Sequence, residues 1–471
     1  MSDALTSIAA RRVFIDGAFV AATLVHTDGF TTRVGPFDAS ADTVLDDDLV
    51  LLPGLVDSHV HLDEPGRTEW EGFATGTAAA AAGGVTTVVD MPLNSVPVTT
   101  TPLALAAKRT AALDRRDGEG KLAVDVAYWG GAVPGNLGHL ADLAAAGVVG
   151  FKCFLSPSGI DEFGHLDPAQ LEAALAELAA FDGLLIVHAE DPAHLHADGP
   201  LGRSYGDFLA SRPPVSEESA IRQVIEASRR TGARAHIVHV SDGAALDSVR
   251  EAKADGVRLT VETCPHYLTL RAEDVPDGAA AFKCCPPIRD ASNQDLLWAG
   301  LLDGTIDAIV SDHSPSTREL KEQGDGDFGL AWGGISGLQT GLSAVWTEAR
   351  GRGIPLEAIL PLFTTGPARI AGLTRLGRIE ERAPAHFAVF APDRTWTVDA
   401  RTLAYRNKLS PWDGRTLTGV IEATYLRGER VFGRDNGVLS RQGGDILVRR
   451  VSAQASTAPA HATIGRRDAA S

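Results

Sequence analysis

From residue 55 onward the chain alternates apolar β runs with helix-like segments, and this alternation limits the possible folds more than any other feature. The β runs are 55–61 (LVDSHVH), 85–91 (VTTVVDM), 123–130 (AVDVAYWG), 148–155 (VVGFKCFL), 184–190 (LLIVHAE), 235–241 (AHIVHVS), 258–264 (RLTVETC) and 306–312 (IDAIVSD). Between most of them lie segments of helical texture, such as 168–181 (PAQLEAALAELAAF) and 217–232 (EESAIRQVIEASRRTG). Nearly continuous apolar runs suit strands buried on both faces, as in a parallel sheet covered by helices. Eight such units are the count of an α/β fold of the (β/α)8 TIM-like barrel type.

The two ends have a different texture. Residues 1–52 hold apolar groups separated by Asp-Gly turn signals and read as short antiparallel strands, and 377–452 returns to short strands. Neither end is large enough for its own core. They are expected to pair into one small composite β domain beside a catalytic segment at 53–376, with 453–471 a disordered tail. The net charge of -18 argues against non-specific binding to nucleic acid or anionic membranes, which needs basic surface. No apolar run approaches the roughly 20 residues of a membrane span, and the first residues lack the apolar core of a secretory signal, so a cytoplasmic location is expected. Cys153, Cys264, Cys284 and Cys285 form no CxxC pair and read as reduced packing thiols.

In a barrel of this kind catalytic groups stand at the C-terminal ends of strands. The ends here carry His59 and His61, Lys152, His188, His239 and Asp312. Histidines two apart in a strand share a face, so His59 and His61 project together. Imidazoles converging with a carboxylate suit a zinc-type centre. Lys152 sits among apolar neighbours, where an unpaired ammonium is costly. A neutral amine there could take up carbon dioxide and become an anionic carbamate able to bridge two cations. The competing reading pairs Lys152 with Asp57, Asp90 or Asp312. Asp312 can bind a metal and exchange a proton. His236, by parity, faces away from His239 and reads as packing or solvent-facing; His266 reads as structural, and His313 and Glu190 as supporting groups behind the ligands.

By these residues the chain resembles the cyclic-amidohydrolase branch of the amidohydrolase superfamily, which holds dihydroorotases, allantoinases and hydantoinases or dihydropyrimidinases. The resemblance runs from PGLVDSHVH through GFKCF, VHAE, HVS, ETCPHYL and SDHSP to GVIEATYLRGERVF. Within the branch HVHLDEPGRTEWEGFATG, GFKCFLSPSG and WGGISGLQTG are most similar to allantoinases. The resemblance implies a (β/α)8 barrel with a small composite β-sandwich, and a binuclear centre of two divalent ions, zinc being usual. His59 and His61 would hold one metal, His188 and His239 the other, with carboxylated Lys152 bridging and Asp312 ligating the first. The implied reaction is hydrolysis of the cyclic amide bond of (S)-allantoin to allantoate by a metal-activated hydroxide. Asn94 would meet polar groups of this small-molecule substrate, and backbone around Cys285 and Gly333 would hold its ring. Dihydroorotases carry arginine two residues after the second histidine; Asp63 stands there instead, in the substrate-binding region, and would repel a carboxylate. Hydantoinase, dihydroorotase and non-catalytic barrel readings remain as alternatives, and the branch implies a homo-oligomer, a tetramer.

Overall fold

The computed structural model describes residues 6–114, 120–196, 199–439 and 443–448. The tail 453–471, expected to be disordered, lies outside the described residues. Each of the eight predicted β runs contains a strand, and every pairing among these strands is parallel. Leu55–Val60, Val85–Asp90 and Asp125–Tyr128 form one sheet. Phe151–Phe154, Leu184–His188, Arg234–Ile237, Leu259–Thr263 and Ala308–Ile309 form the other, with the two-residue strand Gly130–Gly131 at its edge. A parallel bridge between Val60 and His313 links the first strand to the chain just beyond the eighth.

The observed strands are shorter than the apolar runs, above all at their C-terminal ends. The run 235–241 yields Arg234–Ile237, and 306–312 yields only Ala308–Ile309. His239 (φ 40°) and Asp312 (φ 42°) lie in the left-handed region, which an extended strand does not admit. The chain therefore leaves the ladder before each of these residues arrives, and the turn of the backbone aims the side chain.

Helices cover these strands where the sequence supplies caps and small faces. Pro168–Ala179 starts at a reciprocal capping box between Asp167 and Gln170, and Pro214–Thr231 stops at Gly232, whose φ of 68° a side chain would resist. The alanine-rich helix Phe73–Ala82 lies so close to its neighbours that a Cβ on Gly76 would come within 2.2 Å of Leu62. Among the described residues no helix is long and apolar enough to cross a membrane.

Strands from both chain ends join a single nine-stranded sheet, running from Gly437–Val438 at one side to Phe30–Pro36 at the other. The expectation of short strands at the N-terminal end is corrected here, because Thr6–Ile15 and Ala18–Thr27 each extend over ten residues. A bulge between Ala10 and Val13 breaks the two-residue alternation at Arg11 and Arg12 without ending the strand. Asp16-Gly17 and Asp28-Gly29 make the hairpin turns with positive φ at both positions, as the right-handed strand twist demands. Val50–Pro53 sits inside the sheet, antiparallel to Phe387–Thr397 and beside Thr6–Ile15. Its side chains alternate between two cores: Val50 and Leu52 join the large core around the parallel strands, and Leu51 joins a smaller one with Val13, Leu24 and Phe387. Each such burial contributes about 1.5–3 kcal/mol, so this short strand ties the two cores together.

Candidate metal centre

Strand ends bring the predicted donors to one cavity of about 420 Å³. It is lined by His59, His61, Asn94, Lys152, His188, His239, Cys285, Asp312 and Gly333. Asp63 is the exception among the predicted residues and does not line it. Its φ of 60° turns the carboxyl into the protein, where it is fully buried beside the Asn94 side chain. Burial, and then the charges of Asp90 and Glu71, push its pKa well above the usual carboxylate range. Asp63 therefore does not stand as an ionised group facing the cavity, and it is not placed to repel a substrate carboxylate there.

His59 Nδ1 lies 2.6 Å from Glu262 Oε1. Burial alone would raise the Glu262 carboxyl, but the His59 and His236 imidazoles outweigh it and hold the pKa near about 2. An ionised carboxylate only accepts, so Nδ1 carries a proton toward Glu262, and Nε2 is the nitrogen turned to the cavity. That Nε2 stands 3.1 Å from Asp312 Oδ1, and His61 Nε2 stands 3.6 Å from the same oxygen. Donor atoms of His59, His61 and Asp312 all lie within 4.8 Å of one another. Burial brings the His61 pKa down to about 4, so its imidazole is neutral near pH 7. Burial also acts on Asp312, upward, yet the surrounding histidines, His59 first, keep its carboxyl well below the usual range. Ser314 Oγ donates to Asp312 Oδ1 at 2.7 Å.

His188 repeats the His59 arrangement. Its Nε2 lies 2.8 Å from Glu190 Oε2, and Arg212 Nη1 donates to that same oxygen at 2.6 Å. With Nε2 protonated toward Glu190, Nδ1 is left facing His239 Nε2 at 2.9 Å. His239 Nδ1 has no partner among the described residues, and burial, then the charges of His188 and Lys152, hold its imidazole well below its usual pKa. Two neutral imidazoles presenting nitrogens to one point suit a divalent cation. The residues therefore fit a metal centre on their own chemistry.

Lys152 is buried, with Nζ 4.9 Å from the centre of the Phe154 ring. The competing pairing with Asp57, Asp90 or Asp312 does not occur at ion-pair distance among the described residues. Asp90 is taken by Lys108 at 2.6 Å, and Asp57 accepts the backbone N–H groups of His59 and Ser311. Burial, opposed by Asp312 and Glu262, lowers the Lys152 pKa to about 8.

One participant escaped the sequence reading, and three histidines read there take other places than expected. Glu262, the buried acid in an apolar run, was the signal available for the group behind His59. His236, expected by parity to face away from the site, instead lies in register with Ile186 on the face that carries Lys152 and His188; it is fully buried, with Nε2 3.0 Å from Glu262 Oε2 and Nδ1 2.8 Å from Thr260 Oγ1, so the solvent-facing option fails. His266 lies with Cys264 and Asp312 in a second group of close donors, and neither of its ring nitrogens has a partner among the described residues. Burial, then the Asp312 and Glu262 charges, push the Cys264 thiol up, against its acting as a thiolate ligand. His313 points to Glu71 at 3.1 Å, away from the cavity.

Comparison with known proteins agrees with this geometry. Residues 50–431 match the model of the amidohydrolase family. An allantoinase of Streptomyces avermitilis is 53% identical over 454 residues, covering 95% of this chain and 100% of that protein. An allantoinase of Arabidopsis thaliana is 44% identical over 82% of this chain and 78% of its own length. Among solved structures, the L-hydantoinase (dihydropyrimidinase) from Arthrobacter aurescens superposes with a TM-score of 0.86 at 28% identity, covering 95% of this chain and all of that one. Neutral histidines, an ionised aspartate and a matched sequence of this length lead to one conclusion: the chain belongs to the amidohydrolase family, in the branch that holds allantoinases and hydantoinases.

Proposed function

We propose that this protein is an allantoinase, a hydrolase that opens the hydantoin ring of allantoin to give allantoate. One observation carries the choice: allantoinases match at up to 53% identity over nearly the whole chain, whereas the hydantoinase that shares the fold is 28% identical. We read the parallel strands as a closed (β/α)8 barrel with a composite β-sandwich from both chain ends, a reading supported by the Val60–His313 bridge and the shared terminal sheet. The enzyme would work in the cytoplasm as a homotetramer.

The family implies a divalent metal centre, and the donor set suits it. We assign His59, His61 and Asp312 to one ion and His188 and His239 to the other, with zinc as the metal at both. Lys152, with its amine lowered to about 8, would add carbon dioxide and bridge the pair as a carbamate. When bound, such ions supply Lewis acidity toward the ring carbonyl and make water acidic enough to attack near neutral pH.

The protein's own groups do the rest. Glu262 and Glu190 fix the tautomers of His59 and His188, so each ring meets its ion with a lone pair. Asp312, held by Ser314 Oγ, takes the proton from the attacking water and returns it to the departing ring nitrogen. The carbonyl carbon gains the hydroxyl oxygen, the C–N bond breaks, and a carboxylate and a free ureido nitrogen result. Asn94, whose backbone carbonyl accepts from Arg67 Nη1 at 2.8 Å, would meet the polar groups of the substrate with its side chain, and the backbone of Cys285 and Gly333 would hold the ring.

The test is a substrate panel of allantoin, hydantoin, dihydrouracil and dihydroorotate on metal-replete enzyme, with Lys152→Ala as control. Allantoin is expected to be the best substrate, and Lys152→Ala activity should return in part with a short added carboxylic acid. Turnover of hydantoin or dihydroorotate without allantoin refutes the assignment.

A further inference from the structure

Two stretches of backbone line the cavity beside the histidines: residues 283–285, and the glycine-rich loop 329–334. They are stitched to each other. Gly334 N–H donates to Lys283 O at 2.9 Å, and the next residue, Ile335, accepts from Ser314 N–H at 3.0 Å. The approach is close enough that a Cβ on Gly334 would stand 2.1 Å from Ser314 O.

Two lysines reinforce this seam. Lys321, at the end of the short helix Arg318–Lys321, is buried and donates from Nζ to Gly334 O and, at 3.2 Å, to Lys283 O. Lys283 donates from Nζ to Ala331 O at 2.5 Å and to Gly329 O at 3.4 Å. Every acceptor is a backbone carbonyl, and among the described residues neither ammonium has a carboxylate partner within ion-pair distance. Two buried lysine amines without a carboxylate partner are a costly way to fill a wall, since taking an amine out of water is unfavourable unless its donors are well used. Apolar side chains would fill the same volume more cheaply. What the lysines add is a fixed position for carbonyl groups that glycines alone would leave free to rotate.

We infer that Lys321, assisted by Lys283, is a positioning residue for substrate: by clamping Lys283 O and Gly334 O it fixes the adjoining peptide groups of Cys285 and Gly333 against the ring. This rests on the allantoinase reading, because it takes those two peptide groups as ring contacts. Lys321 itself stays behind the wall and touches no substrate.

The experiment compares metal-loaded wild type with Lys321→Met, which keeps the chain length and removes the donors, and Lys321→Arg, which keeps cationic donors. In Lys321→Met the KM for allantoin should rise by about tenfold or more, the factor that follows from losing two buried hydrogen bonds. Bound metal per chain should match wild type, kcat should fall by less than KM rises, and Lys321→Arg should lie nearer to wild type than Lys321→Met. If Lys321→Met does not accumulate as folded protein, Lys283→Met is read by the same criteria. An unchanged KM, a loss confined to kcat, or Lys321→Arg behaving worse than Lys321→Met overturns the inference. Wild-type enzyme that leaves allantoin intact overturns the allantoinase reading on which it rests.

Discussion

At the rim of the parallel strands Asp63, Asn94, His239 and Asp312 all hold positive φ although none is glycine, whereas in the terminal sheet Asp16, Asp28 and Arg427 do so only in turns. A left-handed backbone costs about 1–2 kcal/mol per residue. In the sheet, long antiparallel ladders run from Phe387–Thr397 to Thr416–Leu426, interrupted only by bulges. The difference teaches that strain concentrates where side chains must converge, and that regular pairing with deep apolar packing elsewhere sustains it.

The sharpest way to break this comparison is at Asp312. Asp312→Asn should reduce kcat by about 10⁴-fold, the upper range for a general acid–base group, while the melting temperature of the metal-free protein does not fall. A large loss of stability there would mean that the rim is a structural keystone after all. The converse test is Phe390→Ala in the sheet, where the fully buried ring lies against the bare backbone of Gly419. Denaturant unfolding should show a loss of about 3–5 kcal/mol, with kcat of the folded fraction close to wild type.

A smaller effect sharpens the comparison through pH. His386, just before Phe387–Thr397, is buried, and that burial, aided by the Arg427 charge, lowers its pKa from 6.5 to about 3. Between those values the unfolded chain binds the proton that the folded chain refuses, so acidification favours unfolding. The contribution is constant above pH 6.5 and declines as pH falls toward 3, by at most about 1.4 kcal/mol per pH unit. Melting temperatures of His386→Phe should therefore fall less steeply than wild type below pH 6.5; parallel curves would assign the acid sensitivity to the rim instead.

Much of this was readable from the chain because a parallel strand buried on both faces writes itself as an apolar run, and the polar residue that ends the run stands out. His59, His188 and Lys152 were found in that way. What sequence could not supply was the distance across neighbouring strands. His236 sits opposite Thr260, and Glu262 opposite Ala308, in registers that single-strand parity does not contain, so the acid joining His236 to His59 went unnoticed. Asp63 was misjudged because one left-handed φ redirects a side chain that an extended backbone would have aimed at the cavity. Lys321 was invisible because its partners are carbonyl oxygens, which carry no residue identity.

The placement of Val50–Pro53 between Thr6–Ile15 and Phe387–Thr397 also governs how the molecule is made. As the polypeptide leaves the ribosome, its opening hairpins have one neighbour missing until more than three hundred further residues have been translated, as the spacing of Pro53 and Phe387 requires. Throughout that interval an unpaired apolar edge faces the cell, where chaperone capture competes with pairing to another nascent copy.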